Sequence, residues 1–275
     1  MTPPTTTHRL LVPTPGTTTA PTTTTHHPTI VVFPHAGGSP RQYASWAQTA
    51  GDRARVLGVT YPGRDHRLGE PHPARMQDLA DDIAAALATE FPSTDHPDSP
   101  PIILAGHSLG AILAYETLLA WQHTGGGLGV LLVISGQTSP HYAGGGTVHL
   151  AADQHIIEEV SRSGPETARA LADPELAALY LPAIREDYRL IETYSPHPRV
   201  SGWTSSTIVI AKGYGDKELS AVSTTGWRHL SPDVIGPVTV PGDHMHHIRR
   251  PELAQLCCGG LLRDAARTPQ RKARS

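Results

Sequence analysis

The sequence predicts an α/β fold, with a mostly parallel sheet, helices on both of its faces and a helical insertion. Three observations point there. Short β-branched runs, nearly continuous in apolarity, recur along the chain, as strands buried on both faces require. Helical periodicity fills most of the gaps between them, and strand–helix alternation implies parallel pairing. One gap, at about 138–200, holds helical text and no convincing strand, and loops that long are uncommon unless they form a unit of their own.

The strand candidates are Thr29–Phe33, Arg55–Thr60, Ile102–Ala105, Val130–Ser135, Thr207–Ala211 and Val238–Val240. Helix candidates are Arg41–Ala50, Met76–Glu90, Leu109–Thr124 and Pro251–Arg267. In the second, Met76, Leu79, Ala80, Ile83, Ala86 and Leu87 fall on one face at three- and four-residue steps. The long gap carries a Gly-rich turn at Gly144–Gly146, a helical stretch near Gln154–Arg162 and a longer one at Pro174–Tyr194. Its expected role is a lid over one end of the sheet, with an extra packing layer as the plain alternative. Residues 1–27 are Thr- and Pro-rich without periodicity and read as a disordered tail, and 268–275 as a short basic tail. The folded domain is thus expected at 28–267.

Composition narrows the function. The chain has 275 residues and a net charge of -3, so no basic field points to nucleic acid or an anionic membrane. Mean hydropathy is -0.25 and no apolar run is long enough for a transmembrane helix. The N-terminus lacks a secretory pattern. Two adjacent cysteines, Cys257 and Cys258, form neither a disulfide framework nor a zinc spacing, which suits a reducing cytoplasm. A cytoplasmic monomer without metal or organic cofactor is the expectation.

Gly106-His107-Ser108-Leu109-Gly110 stands between a predicted strand and a predicted helix. This G-x-S-x-G text builds a strained elbow that lifts the serine hydroxyl above the sheet edge, at a helix N-terminus. Ser108 is therefore the candidate nucleophile. Phe33-Pro34-His35-Ala36-Gly37-Gly38 follows the first predicted strand, where acyl-transfer hydrolases place backbone N–H groups for the substrate oxygen. The N–H groups of Ala36 and Leu109 are the candidate donors.

A serine nucleophile needs a base, and in this architecture the chain order is serine, acid, histidine. The last predicted strand runs into Pro241-Gly242-Asp243-His244. His244 is the candidate base, with His246 and His247 as competitors expected to face solvent or the lid. The acid should follow Thr207–Ala211, and Asp216 comes first after a glycine-containing turn there. Glu218 is the alternative, and Asp243 a poor one because it adjoins the histidine.

With these motifs placed, the chain resembles the type II (editing) thioesterases of polyketide and nonribosomal peptide biosynthesis, which are α/β-hydrolases. The matching text is FPHAGGS at Phe33–Ser39, Trp46, YPGR at Tyr61–Arg64, GHSLGA at Gly106–Ala111, LPAIREDYRLIETY at Leu181–Tyr194 and PGDH at Pro241–His244. The resemblance implies a triad of Ser108, Asp216 and His244, with Ala36 and Leu109 as the oxyanion donors. It also implies a lid over an acyl chamber, and as substrate an acyl thioester on the phosphopantetheine arm of an acyl or peptidyl carrier protein. GYGDKEL at the acid turn and GQTSP at Gly136–Pro140 depart from the family's usual text. A serine esterase or acyltransferase is the alternative, followed by a non-catalytic carrier-binding partner. Met245, Leu179, Tyr180 and Leu181 are chamber candidates, with core packing as the competing reading. Arg64, Arg185, Arg189 and Arg199 are candidates to meet an acidic carrier, although exposed arginine is ordinary.

Overall fold

The structure is a computed structural model, and it describes residues 10–17, 28–92, 94, 99–163, 165–196, 204–217, 219 and 224–261. Seven strands form one sheet: β1 (Leu11–Pro13), β2 (Thr29–Phe33), β3 (Arg55–Val59), β4 (Ile102–His107), β5 (Leu131–Ser135), β6 (Ile208–Gly213) and β7 (Val234–Val240). Their spatial order is β1-β3-β2-β4-β5-β6-β7. All neighbouring pairs are parallel except β1 with β3.

Alternate residues of the central strands enter two separate cores, which explains their continuous apolarity. Val31, Phe33, Leu57, Leu104, Leu132 and Ile210 pack on one face, against α2 (Met76–Glu90) and α3 (Leu109–His123). Ile30, Val32, Val56, Ile103, Val133 and Val209 pack on the other. There they meet Trp46, Ala47 and Ala50 of α1 (Ala44–Ala50) and the chain end around Leu253 and Ala254. The predicted helix over Met76–Glu90 matches α2 residue for residue.

Two strand predictions fall short. The tail reading covers Leu11, yet Leu11–Pro13 forms the antiparallel edge strand, with Leu10 and Leu11 buried in the core. Three residues in Thr/Pro-rich text are too short to display a period. Residues 1–9, 18–27 and the basic tail lie outside the described residues. β7 begins at Val234 rather than Val238, because Gly236 and Pro237 break the pattern. Proline is tolerated there since β7 is an edge strand, and the pairing with β6 shifts register at that point.

Between β5 and β6 the described residues form α4 (Asp153–Ser163), α5 (Pro165–Leu171) and α6 (Pro174–Glu192), with two short 3-10 turns before them. Asp173 caps α6, its carboxylate accepting from the N–H groups of Glu175 and Leu176. Ile156, Val160, Leu171, Ala177, Leu181 and Ile184 give this insertion a small core of its own. After β7 come α7 (His246–Arg249) and, within the predicted Pro251–Arg267 helix, α8 (Glu252–Leu256) and a π turn to Leu261, while 262–267 of that prediction lie outside the described residues.

Candidate active site

Parallel pairing puts the carboxyl ends of β2, β4, β5, β6 and β7 along one rim of the sheet, where open α/β folds place their sites. The candidate residues follow these ends directly. Ser108 leaves β4 with φ 52° and ψ -123°, the left-handed conformation of a strained elbow. Its N–H donates to the Ser135 carbonyl at the end of β5, 2.9 Å away. Gly106 and Gly110 make the turn possible. A side chain on Gly110 would run into the Phe33 carbonyl, and one on Gly106 into the Gly110 carbonyl.

The two turns after β6 and β7 are stitched together through their backbones. Tyr214 N–H donates to the Val240 carbonyl and Gly215 N–H to the Gly242 carbonyl, both at 2.8 Å. Asp216 and His244 are thereby brought together, with Nδ1 of His244 3.1 Å from Oδ2 of Asp216. The carboxylate is fully buried and the imidazole one-fifth exposed. Asp243 is turned elsewhere, its carboxylate accepting from Met245 N–H and pairing with Arg249. Glu218 lies outside the described residues. The His244 ring centroid is 4.7 Å from that of His107, the residue before Ser108.

Contrary to the expectation from sequence that they face solvent or the lid, His246 and His247 are turned into the interior. Both are buried, and with His35 and His107 they form a packed group of rings under the site. His107 and His247 stack at 3.6 Å. His247 reaches His35 at 3.2 Å, and its carbonyl accepts from the Trp46 indole at 2.7 Å. Burial, reinforced by the neighbouring imidazoles, lowers His107 and His247 well below the ordinary histidine range. His35 is pushed down to about 3, chiefly by burial and then by His244 and Arg64. These rings are neutral at pH 7. Short runs of histidine look hydrophilic in sequence, and only the fold turns these inward.

In the loop after β2, Gly37 N–H donates to Oδ2 of Asp187 and Gly38 N–H to the His35 carbonyl. Ala36 N–H has no protein acceptor among the described residues. Leu109, buried, opens α3 directly behind Ser108.

Arg64 is no surface arginine. It forms a buried ion pair with Asp187 of α6, and its Nη1 also donates to the Gly38 carbonyl. Asp187 was not singled out in the sequence, because the pair joins positions 123 residues apart. Arg185 fastens the insertion internally, holding the His149 and Ala151 carbonyls and Asp153. Arg189 ties α6 to the Pro73 and Ala74 carbonyls. Arg199 lies outside the described residues. Of the chamber candidates, Leu181 packs in the insertion's own core, Leu179 and Tyr180 lie exposed, and Met245 is buried. Among the described residues no helix is long and apolar enough to cross a membrane, and no group of three metal-ligating side chains occurs.

The Thioesterase domain family matches residues 28–258. The chain belongs to the thioesterase family. A probable cadicidin biosynthesis thioesterase of Streptomyces griseus is 38% identical over 170 residues, which is 62% of this chain and 45% of the relative. The match thus spans less than half of that protein. Thioesterase PikA5 of Streptomyces venezuelae is 31% identical over 72% of this chain and 68% of its own. Among solved structures, the type II thioesterase BorB of the borrelidin biosynthetic cluster superposes with a TM-score of 0.76 at 28% identity, covering 94% of this thioesterase and 98% of BorB. YbtT, a type II thioesterase of a yersiniabactin pathway, superposes at 0.75 with 28% identity, covering 92% and 97%. The resemblance read from FPHAGGS, YPGR and GHSLGA holds, as does the α/β-hydrolase fold with its helical insertion.

Proposed function

We propose that this thioesterase hydrolyses acyl groups from the phosphopantetheine arm of acyl or peptidyl carrier proteins, using Ser108, His244 and Asp216. The observation that carries this reading is the 3.1 Å contact of His244 with buried Asp216, on a turn packed beside the Ser108 elbow. Asp216 orients the imidazole through Nδ1–H and stabilises the imidazolium. Ser108 Oγ attacks the thioester carbonyl while His244 Nε2 takes its proton. The oxyanion is held by the N–H groups of Ala36 and Leu109. The tetrahedral adduct collapses, the C–S bond breaks, and the pantetheine sulfur leaves as thiol with the proton from His244. Water, deprotonated by the same imidazole, then cleaves the acyl-serine ester and restores the hydroxyl. The chemistry requires only water as second substrate. The helical insertion is the proposed lid, and a cytoplasmic monomer acting on stalled or wrong acyl groups is the proposed setting.

Carrier proteins loaded with acetyl, propionyl, malonyl or aminoacyl groups test this by intact mass. Wild type removes the acyl mass, whereas Ser108→Ala and His244→Ala leave it in place. Removal by all three proteins, or by none, overturns the assignment. Transfer to an added alcohol in preference to water identifies an acyltransferase instead.

A further inference from the structure

We propose that Arg64 and Asp187 are a positioning pair for the oxyanion loop, resting on the acyl-transfer reading of Ser108 above. Asp187 sits on α6, in the insertion, yet its carboxylate reaches the loop after β2. Oδ2 accepts from Gly37 N–H at 2.7 Å, and both oxygens accept from Nη2 of Arg64 at 2.7 Å. Nη1 of Arg64 donates to the Gly38 carbonyl, also at 2.7 Å. One guanidinium and one carboxylate thus grip a donor and an acceptor of adjacent residues.

The same segment is held a third time. The Arg64 guanidinium lies over the Tyr61 ring at 5.2 Å, and the Tyr61 hydroxyl donates to the Pro34 carbonyl at 2.8 Å. Gly37 adopts φ +75°, and a Cβ there would press on Ile184 of α6 at 3.3 Å. A glycine in this loop has no side chain to hold its peptide, so hydrogen bonds must do so. A peptide unit is planar, so fixing Gly37 N–H fixes the Ala36 carbonyl, and the bond from Gly38 N–H to the His35 carbonyl at 2.9 Å fixes the plane that carries the Ala36 N–H. Ala36 is the residue whose N–H is assigned to the oxyanion.

A structural role alone explains the pair poorly. Arg64 and Asp187 side chains are 6% and 2% exposed, and a buried ion pair is a weak route to stability compared with apolar packing. Its specific product is the orientation of the loop. Because Asp187 belongs to the insertion, the oxyanion loop is in register only when α6 is seated.

The test compares wild type, Asp187→Asn and the double variant Arg64→Met/Asp187→Leu in the full-length protein. The double variant leaves no unpaired buried charge, so it carries the test should the single replacement fail to fold. Turnover of acyl-N-acetylcysteamine thioesters is expected to drop about tenfold in kcat for Asp187→Asn and about a hundredfold for the double variant, with KM within about twofold. Amide hydrogen exchange over 33–39 is expected to rise in both. A folded double variant that keeps kcat within about threefold, or that loses only KM, overturns the proposal. Should wild type hydrolyse no acyl thioester, the functional reading fails by itself. The pair is then judged by the rate at which a fluorophosphonate captures Ser108, where slowing supports it and an unchanged rate overturns it.

Discussion

Nε2 of His246 lies 2.7 Å from Oγ of Ser135, and Nδ1 of the same ring lies 2.9 Å from the Asp243 carbonyl. A carbonyl can only accept, so Nδ1 carries the hydrogen and Nε2 accepts from the Ser135 hydroxyl. Burial lowers the His246 pKa and keeps the ring in this neutral tautomer. The contact ties the turn bearing His244 to the end of β5. The carbonyl of the same Ser135 receives the N–H of Ser108. Two loops distant in sequence are therefore referenced to one residue.

Ser135→Ala removes the donor and leaves a buried imidazole nitrogen unpaired. The expected cost is about 1–3 kcal/mol, measured by urea unfolding at pH 7.5. A change under about 0.5 kcal/mol would mean that Nε2 of His246 does not depend on the Ser135 hydroxyl for its hydrogen bond.

The buried histidines set a pH dependence. His35, His107, His246 and His247 all have folded pKa values below the ordinary 6.5. As pH drops below that value the unfolded chain takes up protons that the folded chain refuses. Stability is therefore full above about 6.5 and is lost as pH falls toward the folded values, a window reaching down to about 3 for His35. Each refused proton adds a slope of about 1.4 kcal/mol per pH unit. Urea midpoints at pH 7.5 and 5.5 are expected to differ strongly, and His35→Gln to flatten the difference by one proton's share. Equal midpoints at the two pH values would contradict the buried neutral cluster.

What could be read in the sequence and what could not divides along physical lines. The elbow, the His244 turn and the Asp216 turn follow strands that announce themselves by apolar runs, so local text located them. The partners that only the fold supplies stayed hidden. Arg64 meets Asp187 across the whole β3-to-α6 span, and no local pattern marks an arginine for burial. His246 and His247 sit in HMHHIRR, which reads as polar helix text until the neighbouring rings are seen. The β1 strand is too short for period two to show, and Pro237 disguised the start of β7.

The elbow glycines give a steric prediction. Gly110→Ala would push a methyl group into the Phe33 carbonyl, on a backbone that the sheet cannot shift cheaply. The expected loss lies at or above the upper end of the ~1–3 kcal/mol typical of overpacking. Gly69→Ala, where nothing lies within 4 Å of the added carbon, is the matched control and is expected within about 0.5 kcal/mol of wild type. Thermal melts of the two proteins check this, and equal melting temperatures would show that the elbow has room to relax.

The two thiols separate the proposed serine chemistry from a cysteine alternative. Cys257 and Cys258 are buried in the layer that holds Leu131 and Val133, on the face opposite α2 and α3. Burial raises both above the ordinary thiol value, Cys258 to about 11 and Cys257 further, the second also through Cys258 beside it. Only the thiolate is a competent nucleophile, so almost none is present at pH 8. A disulfide reagent such as Ellman's is expected to titrate no thiol rapidly in the native protein and two in urea. Acylated protein from a slow substrate is likewise expected to carry its label on the peptide containing Ser108. Rapid native titration would contradict the burial of the two thiols, and a label on the peptide containing Cys257 and Cys258 would move the nucleophile to the other face of the sheet and end the case for Ser108.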